Sequence, residues 1–286
     1  MRPQRRPLIN RGELEEIRSI YHHRCFVDPD PLLFLYEYDH IRDREIAGMV
    51  ASSLAYGRVA QIMRSVSAIL GPMGKSPFEF LMNSTPAGLG ETYKAFRHRF
   101  TTGEEMASML YGVKLVLERY GSLQECFLEG LKEIDDHTVL HALSRFVMKI
   151  KEAGRLSRNS LLPSPDKGSA CKRLNLFMRW MVRKDQVDPG GWDRVPASML
   201  IIPLDTHMYR IGRRLGLTSR KQAGMLAALE ITDAFRRICP EDPVRYDFAL
   251  TRLGIRKEIQ GESVLERLGD APIEVAQGRD PRAEGR

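Results

Sequence analysis

Two segments of the chain carry residue types that together can break a bond to carbon. The first is Gly168-Ser-Ala-Cys-Lys-Arg-Leu-Asn-Leu-Phe-Met-Arg-Trp-Met-Val-Arg183. Leu174, Phe177, Met178 and Met181 fall at i, i+3, i+4 and i+7, the stripe of a helix that buries one face. Ser169 suits the N-cap, which puts Lys172 in the first turn, with Arg179 and Arg183 on the side away from the stripe. Unpaired N–H groups make that end electropositive, so the ammonium form is disfavoured there. The neutral amine is the form that attacks carbon, and the same end attracts phosphate. Set against this, a lysine on the polar face of an amphipathic helix is more often plain solvated surface.

The second segment is Leu200-Ile-Ile-Pro-Leu-Asp-Thr-His-Met-Tyr-Arg-Ile-Gly-Arg-Arg-Leu-Gly-Leu217. An apolar approach ends at Pro203-Leu204, and Asp205 stands where an N-cap belongs. Met208, Ile211 and Leu215 form a buried stripe, while His207, Arg210 and Arg214 share another face. A helix cap is the bland reading of Asp205 and does not compete with a functional one. Capping N–H groups hold a carboxylate ionised and fixed, which is what stabilising a developing cation requires.

The elements that must position these groups are helical. Amphipathic segments fall near 12–24, 31–38, 43–70, 88–99, 103–119, 122–133, 137–154, 170–184, 206–215, 219–238 and 243–253, and alternating strand patterns are scarce. An all-α fold is therefore predicted. The first eleven residues hold four arginines and two prolines and read as a flexible basic arm. Residues 12–268 form a single helical domain in this reading, and 269–286 a disordered tail. Arg155 to Lys167 breaks the helical pattern with prolines and serines.

With 44 Lys and Arg against 37 Asp and Glu, the net charge is +7, which favours a polyanionic partner weakly. No apolar run reaches the roughly 20 residues that span a bilayer, and no h-region follows the basic N-terminus. The cytoplasm is the expected compartment. The four cysteines are far apart, so neither a zinc ribbon nor an iron–sulfur ligand set is expected. His22 and His23, near Cys25 and Asp28, match no ligand spacing and read as surface histidines. No metal or cofactor is expected, and the Walker and Rossmann glycine patterns are absent.

The stretch Pro203-Leu-Asp-Thr-His-Met-Tyr-Arg-Ile-Gly-Arg-Arg-Leu-Gly-Leu217 resembles the Val-Asp-Thr-His…Arg-Leu-Gly segment of the helix–hairpin–helix DNA glycosylase superfamily. In that superfamily the aspartate is catalytic, and a catalytic lysine precedes it on the helix leaving the hairpin. Asp205 matches the aspartate and Lys172 best matches the lysine, with Lys167 and Lys184 as competitors. The hairpin region, Leu162-Pro-Ser-Pro-Asp-Lys-Gly168, has one glycine, and the lysine–aspartate separation is longer than usual. That separation, a basic residue at Arg179 and the run Tyr246-Asp-Phe-Ala-Leu-Thr-Arg-Leu-Gly254 are similar to the archaeal 8-oxoguanine DNA glycosylase branch. Val50-Ala-Ser-Ser-Leu-Ala-Tyr-Gly-Arg58 is similar to the superfamily's early Leu-Leu-Ser-x-Gln segment, without the glutamine. The whole chain also resembles a bacterial family defined by a domain of unknown function.

The resemblance implies a two-lobed helical fold with a cleft, and a monomer acting on double-stranded DNA that contains a damaged base. It implies a bifunctional glycosylase and AP lyase for oxidised purine. Lys172 would attack C1′, and Asp205 would stabilise the oxocarbenium-like transition state. Lys167, Gly168, Arg173, Arg179, His207 and Arg210 would meet the phosphates, and Ser53, Tyr56, Arg58 and Trp180 the extruded base. Core packing is the competing role for Trp180. A non-catalytic nucleic-acid-binding protein on the same scaffold, or a glycosidase for nucleosides or another nucleic acid, are the alternatives.

Overall fold

The structure, a computed structural model, describes residues 9–132, 137–156 and 160–255. It is all-α. The described residues form α1 (Arg11–Tyr21), α2 (Ile41–Ser53), α3 (Val59–Leu70), α4 (Pro77–Met82), α5 (Pro86–Tyr93) and α6 (Gly103–Tyr120). They continue with α7 (Leu123–Lys132), α8 (Leu140–Ala153), α9 (Lys172–Val182), α10 (Thr206–Arg214), α11 (Met225–Ile238) and α12 (Asp247–Ile255). Short 3-10 turns lie between them, including Pro31–Glu37 and Pro165–Lys167. The one sheet among the described residues is an antiparallel ribbon of β1 (Arg97–His98) and β2 (Thr101–Thr102).

Several boundaries follow from local chemistry. Asn10 and Glu13 close a capping box at α1, and Thr102 and Glu105 do the same at α6. Residues 9–11, expected in the flexible arm, are therefore part of the fold: Ile9 is buried and Asn10 is the cap. The rest of the arm, residues 1–8, and the tail from 256 lie outside the described residues. The helix predicted over 43–70 is two helices. Leu54–Arg58 separates them, and Gly57 sits at φ +96, a conformation that side chains with a Cβ disfavour.

Helix α6 packs on α5, α7 and α8, α2 packs on α9, and both α1 and α10 pack on α12. One contiguous core runs from Ile9 to Leu253. Helix α2 is buried on nearly every face. Its Glu45 accepts from Leu123 N (3.0 Å), Gln124 N (3.0 Å) and Trp192 Nε1 (2.7 Å), so one carboxyl from α2 serves the first turn of α7 and the loop after α9. Burial pushes its pKa up to about 7, although those three donors pull the other way.

The loop after α9 folds back onto its own helix. Gly190 N donates to Trp180 O (3.0 Å) and Trp192 N to Met181 O (2.7 Å). Those bonds absorb carbonyls that the helix end would otherwise leave open. Trp192 is fully buried, with the rings of Phe127, Phe146 and Phe177 at 5.4, 6.2 and 5.2 Å. Gly191 lies at φ +135, and a Cβ there would sit 1.9 Å from Ile41 Cδ1, so the close approach of the loop to α2 requires glycine.

Candidate active site

Helix α9 begins at Lys172, but Ser169 does not cap it. The N-cap is Cys171, held in the left-handed region at φ 47, ψ 39, and no side chain caps the helix. That conformation costs a non-glycine residue about 1 kcal/mol. Local bonds hold it there: Cys171 N donates to Ser169 Oγ (3.3 Å) and Cys171 O accepts from Asn175 N (3.0 Å). Ser169 itself bridges to Gly224 ahead of α11. The kink ends the irregular segment abruptly and leaves the first turn of α9 without a side-chain acceptor.

Asp205 is the N-cap of α10, as predicted, and its Oδ1 accepts from Met208 N (2.8 Å). Its approach is anchored, because Ile202 N donates to Thr232 Oγ1 on α11 (3.0 Å). The two helix starts face each other: Lys172 Nζ lies 3.2 Å from Asp205 Oδ2. The lysine side chain is 36% exposed and the aspartate 20%, so solvent and a ligand can reach the pair. Lys167 and Lys184 are exposed and stand on the turn before α9 and the loop after it.

Behind this pair lies a buried ionic cluster. Arg179 Nε is 3.2 Å from Asp188 Oδ1, and its NH1 is 2.5 Å from Asp247 Oδ2. Arg183 meets Asp188 (2.6 Å), Asp185 (2.7 Å) and Asp242 (2.9 Å). Burial pulls the Arg179 pKa down, but Asp188 and Asp247 more than offset that pull and raise it above its ordinary value. Asp247 is pushed up to about 6, first by burial and then by the charges of Asp205 and Asp188, against the pull of Arg179. Its Oδ1 is buried without a hydrogen-bond partner.

The cluster corrects several expectations. Arg179 and Arg183 are not on a solvated face. Each is 4% exposed, and Arg179 spends its guanidinium on two interior carboxylates rather than on a phosphate. His22 is not a surface histidine either, being buried with Nε2 2.9 Å from Asp185 Oδ2. His23 bonds to Gln186 and Ser19, and no group of three or more His, Cys, Asp and Glu among the described residues could hold a metal.

The remaining expected contacts divide. Lys167, His207 and Arg210 are exposed, Lys167 just before α9 and the other two on α10 beyond Asp205. Gly168 uses its N–H within the turn (Pro165 O, 3.2 Å) and its carbonyl on Met225 N (3.0 Å), so it stitches the turn to α11 rather than offering an amide to a phosphate. Arg173 points inward and donates to Ser53 O and Ser160 O at 2.6 Å each, with its guanidinium 4.9 Å from the Tyr56 ring. It is a brace, not a phosphate ligand. Ser53 is buried with its hydroxyl turned to Met49 Sδ, and Trp180 is 1% exposed in the core, so neither meets a base. Tyr56 is half-buried and Arg58 exposed, beside the ribbon. One residue of the cluster behind the pair, Asp247, went unnoticed in the sequence as a site candidate, although it lay inside a quoted motif.

The chain belongs to the family described as Protein of unknown function (DUF2400), whose model matches residues 30–256. No curated protein and no solved structure matches it.

Proposed function

We propose that this member of the family is a DNA glycosylase with AP lyase activity, for which Lys172 is the nucleophile and Asp205 the paired carboxylate. The observation that carries the reading is the 3.2 Å contact between Lys172 Nζ and Asp205 Oδ2 where two helices begin. The electropositive start of α9 favours a phosphate nearby. Asp205 takes the proton that Nζ must lose before it attacks.

The deprotonated amine adds to C1′ of the damaged nucleotide, and the C1′–N bond breaks with its electron pair leaving on the base, which takes the proton that Asp205 received from Nζ and so leaves the carboxylate ionised again. Asp205, fixed by Met208 N, stabilises the cationic character that develops on the sugar. Ring opening with protonation of O4′ gives a Schiff base between C1′ and Nζ. Loss of a C2′ proton then expels the 3′ phosphate. A base inside a duplex must first be extruded, so the substrate is duplex DNA bearing a lesion, an oxidised purine such as 8-oxoguanine in this reading. The enzyme works as a monomer on nucleoid DNA. No helix among the described residues is long and apolar enough to cross a membrane.

Borohydride trapping on 8-oxoguanine and abasic duplexes tests the proposal. A covalent adduct is expected that is lost in Lys172→Gln and retained in Lys167→Gln and Lys184→Gln. Binding without an adduct on any damaged or abasic DNA overturns the lyase and leaves a binding protein on this scaffold.

A further inference from the structure

The ribbon β1–β2 turns over two residues, Arg99 and Phe100, and Arg99 takes the left-handed conformation (φ 56). That turn holds Phe100 outward, 64% exposed, more than any other large hydrophobic residue described. It is not a loose side chain. Its ring stacks on Tyr56, with centroids 5.2 Å apart and planes 22° from parallel. Tyr56 is itself fixed from several sides. Its hydroxyl contacts Thr101 Oγ1 (2.6 Å) and donates to His98 O (3.0 Å), and the His98 ring meets it edge-on at 4.5 Å. The Arg173 guanidinium lies 4.9 Å from the Tyr56 ring.

Arg173 follows Lys172 in the first turn of α9, so the aromatic pair is braced to the helix that presents the candidate nucleophile. Three exposed arginines lie on the elements that carry the shelf. Arg97 and Arg99 lie on the ribbon, Arg58 follows Gly57, and all three are exposed. Arg64 and Arg97 also line a recess of about 370 Å³ that adjoins the ribbon. An exposed flat ring on a rigid aromatic base, with exposed arginines on the same ribbon and on the adjoining loop, matches the π-face of a nucleobase and the phosphates that flank it. The residues flanking Phe100 in the turn and ribbon, Arg97 and Arg99, are charged rather than aliphatic, which suits a polyanionic strand better than an apolar protein surface.

We propose that Phe100, stacked on Tyr56, is a stacking platform for an unpaired base of a nucleic-acid strand, with Arg58, Arg97 and Arg99 holding that strand's phosphates. This deepens, and rests on, the reading of the Lys172–Asp205 pair as a nucleic-acid site. The platform gives a base left unpaired beside the extruded nucleotide a surface to stack on. Every base has a π-face, so the platform is indifferent to sequence, and the choice of lesion lies elsewhere.

The full chain and its Phe100→Ala, Phe100→Trp and Arg99→Ala variants test this with duplexes that place 2-aminopurine opposite a stable abasic analogue. Trapping of each variant on a single-stranded abasic oligonucleotide runs in parallel. The wild type is expected to change the 2-aminopurine emission on binding. Phe100→Ala is expected to lose that change and to bind about tenfold or more weakly, with the salt slope kept. Phe100→Trp is expected to restore both. Arg99→Ala is expected to reduce the salt slope by about one. Phe100→Ala indistinguishable from wild type overturns the platform and assigns the shelf to a protein contact. If an adduct still forms at wild-type level, the lyase reading survives that failure. Phe100-dependent binding with no adduct from any variant keeps the platform and removes the lyase. A wild type that binds no DNA overturns both.

Discussion

Lys172 and Asp205 can be separated experimentally because they serve the fold differently. Asparagine caps a helix about as well as aspartate, so Asp205→Asn should leave the start of α10 intact. It removes the charge that meets Nζ. We expect the melting temperature to shift little while single-turnover base release falls about 10²–10³-fold, the scale of losing one oriented electrostatic partner. Arg179 runs the other way. Both its carboxylate partners are interior, and Arg179→Ala strands Asp247 while leaving Asp188 to Arg183 alone. We expect a loss of about 3–5 kcal/mol in denaturant unfolding and no change in the salt dependence of DNA binding. A salt slope that drops with Arg179→Ala would return this residue to the phosphate surface. The residue scale also shows how far the sequence could be read. Asp205 was legible because its capping role and its motif coincide. Lys172 was ambiguous because Lys167 and Lys184 compete with it in the sequence, and only the fold brings its Nζ to within 3.2 Å of Asp205. Arg179 was misread because its partners, Asp188 and Asp247, lie 9 and 68 positions away. Periodicity sees a charged residue off the apolar stripe and cannot see the carboxylates that fold over it.

At the scale of elements, helix identity was legible and helix breaks were less so. The 3.6-residue pattern locates α6 to α10 closely, because each carries an apolar stripe, and side chains cap the starts of α6 and α10. It runs through the break between α2 and α3, because apolar residues continue across Leu54 and Ala55 while Gly57 turns the chain. The pattern also reaches back to 219, whereas α11 starts at Met225, after Gly224 has paired with Ser169. What ties the elements together is polar and distant in sequence, with Glu45 of α2 as the clearest case. An unfolded glutamate releases its proton near pH 4.5, and the buried one near 7. Between those values the folded state holds the extra proton, so Glu45 makes stability fall as pH rises from about 4.5 to about 7. Glu45→Gln should remove that part of the slope in melting curves taken across the window. It should also cost about 1–3 kcal/mol, because one amide oxygen cannot serve all three donors. An unchanged slope would mean that Glu45 keeps an ordinary carboxyl. The loop after α9 offers an independent check. Gly191→Ala places a methyl against Ile41 Cδ1 at a φ that alanine avoids. We expect a destabilisation of about 1–3 kcal/mol by thermal unfolding, comparable to overpacking a core.

For the whole molecule, the excess of 44 basic over 37 acidic residues was visible from the start, but its distribution was not. Two of the basic residues assigned to DNA, Arg173 and Arg179, turn inward, and their charge goes into bracing Tyr56 and neutralising Asp188 and Asp247. Exposed cations near the two proposed sites are Lys167 and Arg210, next to and on the helices that carry Lys172 and Asp205, and Arg58, Arg97 and Arg99, on the loop and ribbon that carry the aromatic shelf. Arg173, next to Lys172 on α9, holds Ser53 and lies against Tyr56, which ties the shelf to the helix of the pair. Each neutralised phosphate contributes about −0.9 to the slope of log affinity against log salt. If the five side chains each meet one phosphate, the slope is about −4 to −5, and affinity for a lesion-bearing duplex falls about 10²–10³-fold between 50 and 200 mM salt. Lys167→Ala should reduce the slope by about one and weaken binding to all sequences alike, since a phosphate contact carries no base information. A slope near zero would remove the phosphate surface. A slope lowered by the pair-side variants but unmoved by the shelf-side ones would confine DNA to the mouth of Lys172 and Asp205 and leave the arginines of the ribbon to another partner.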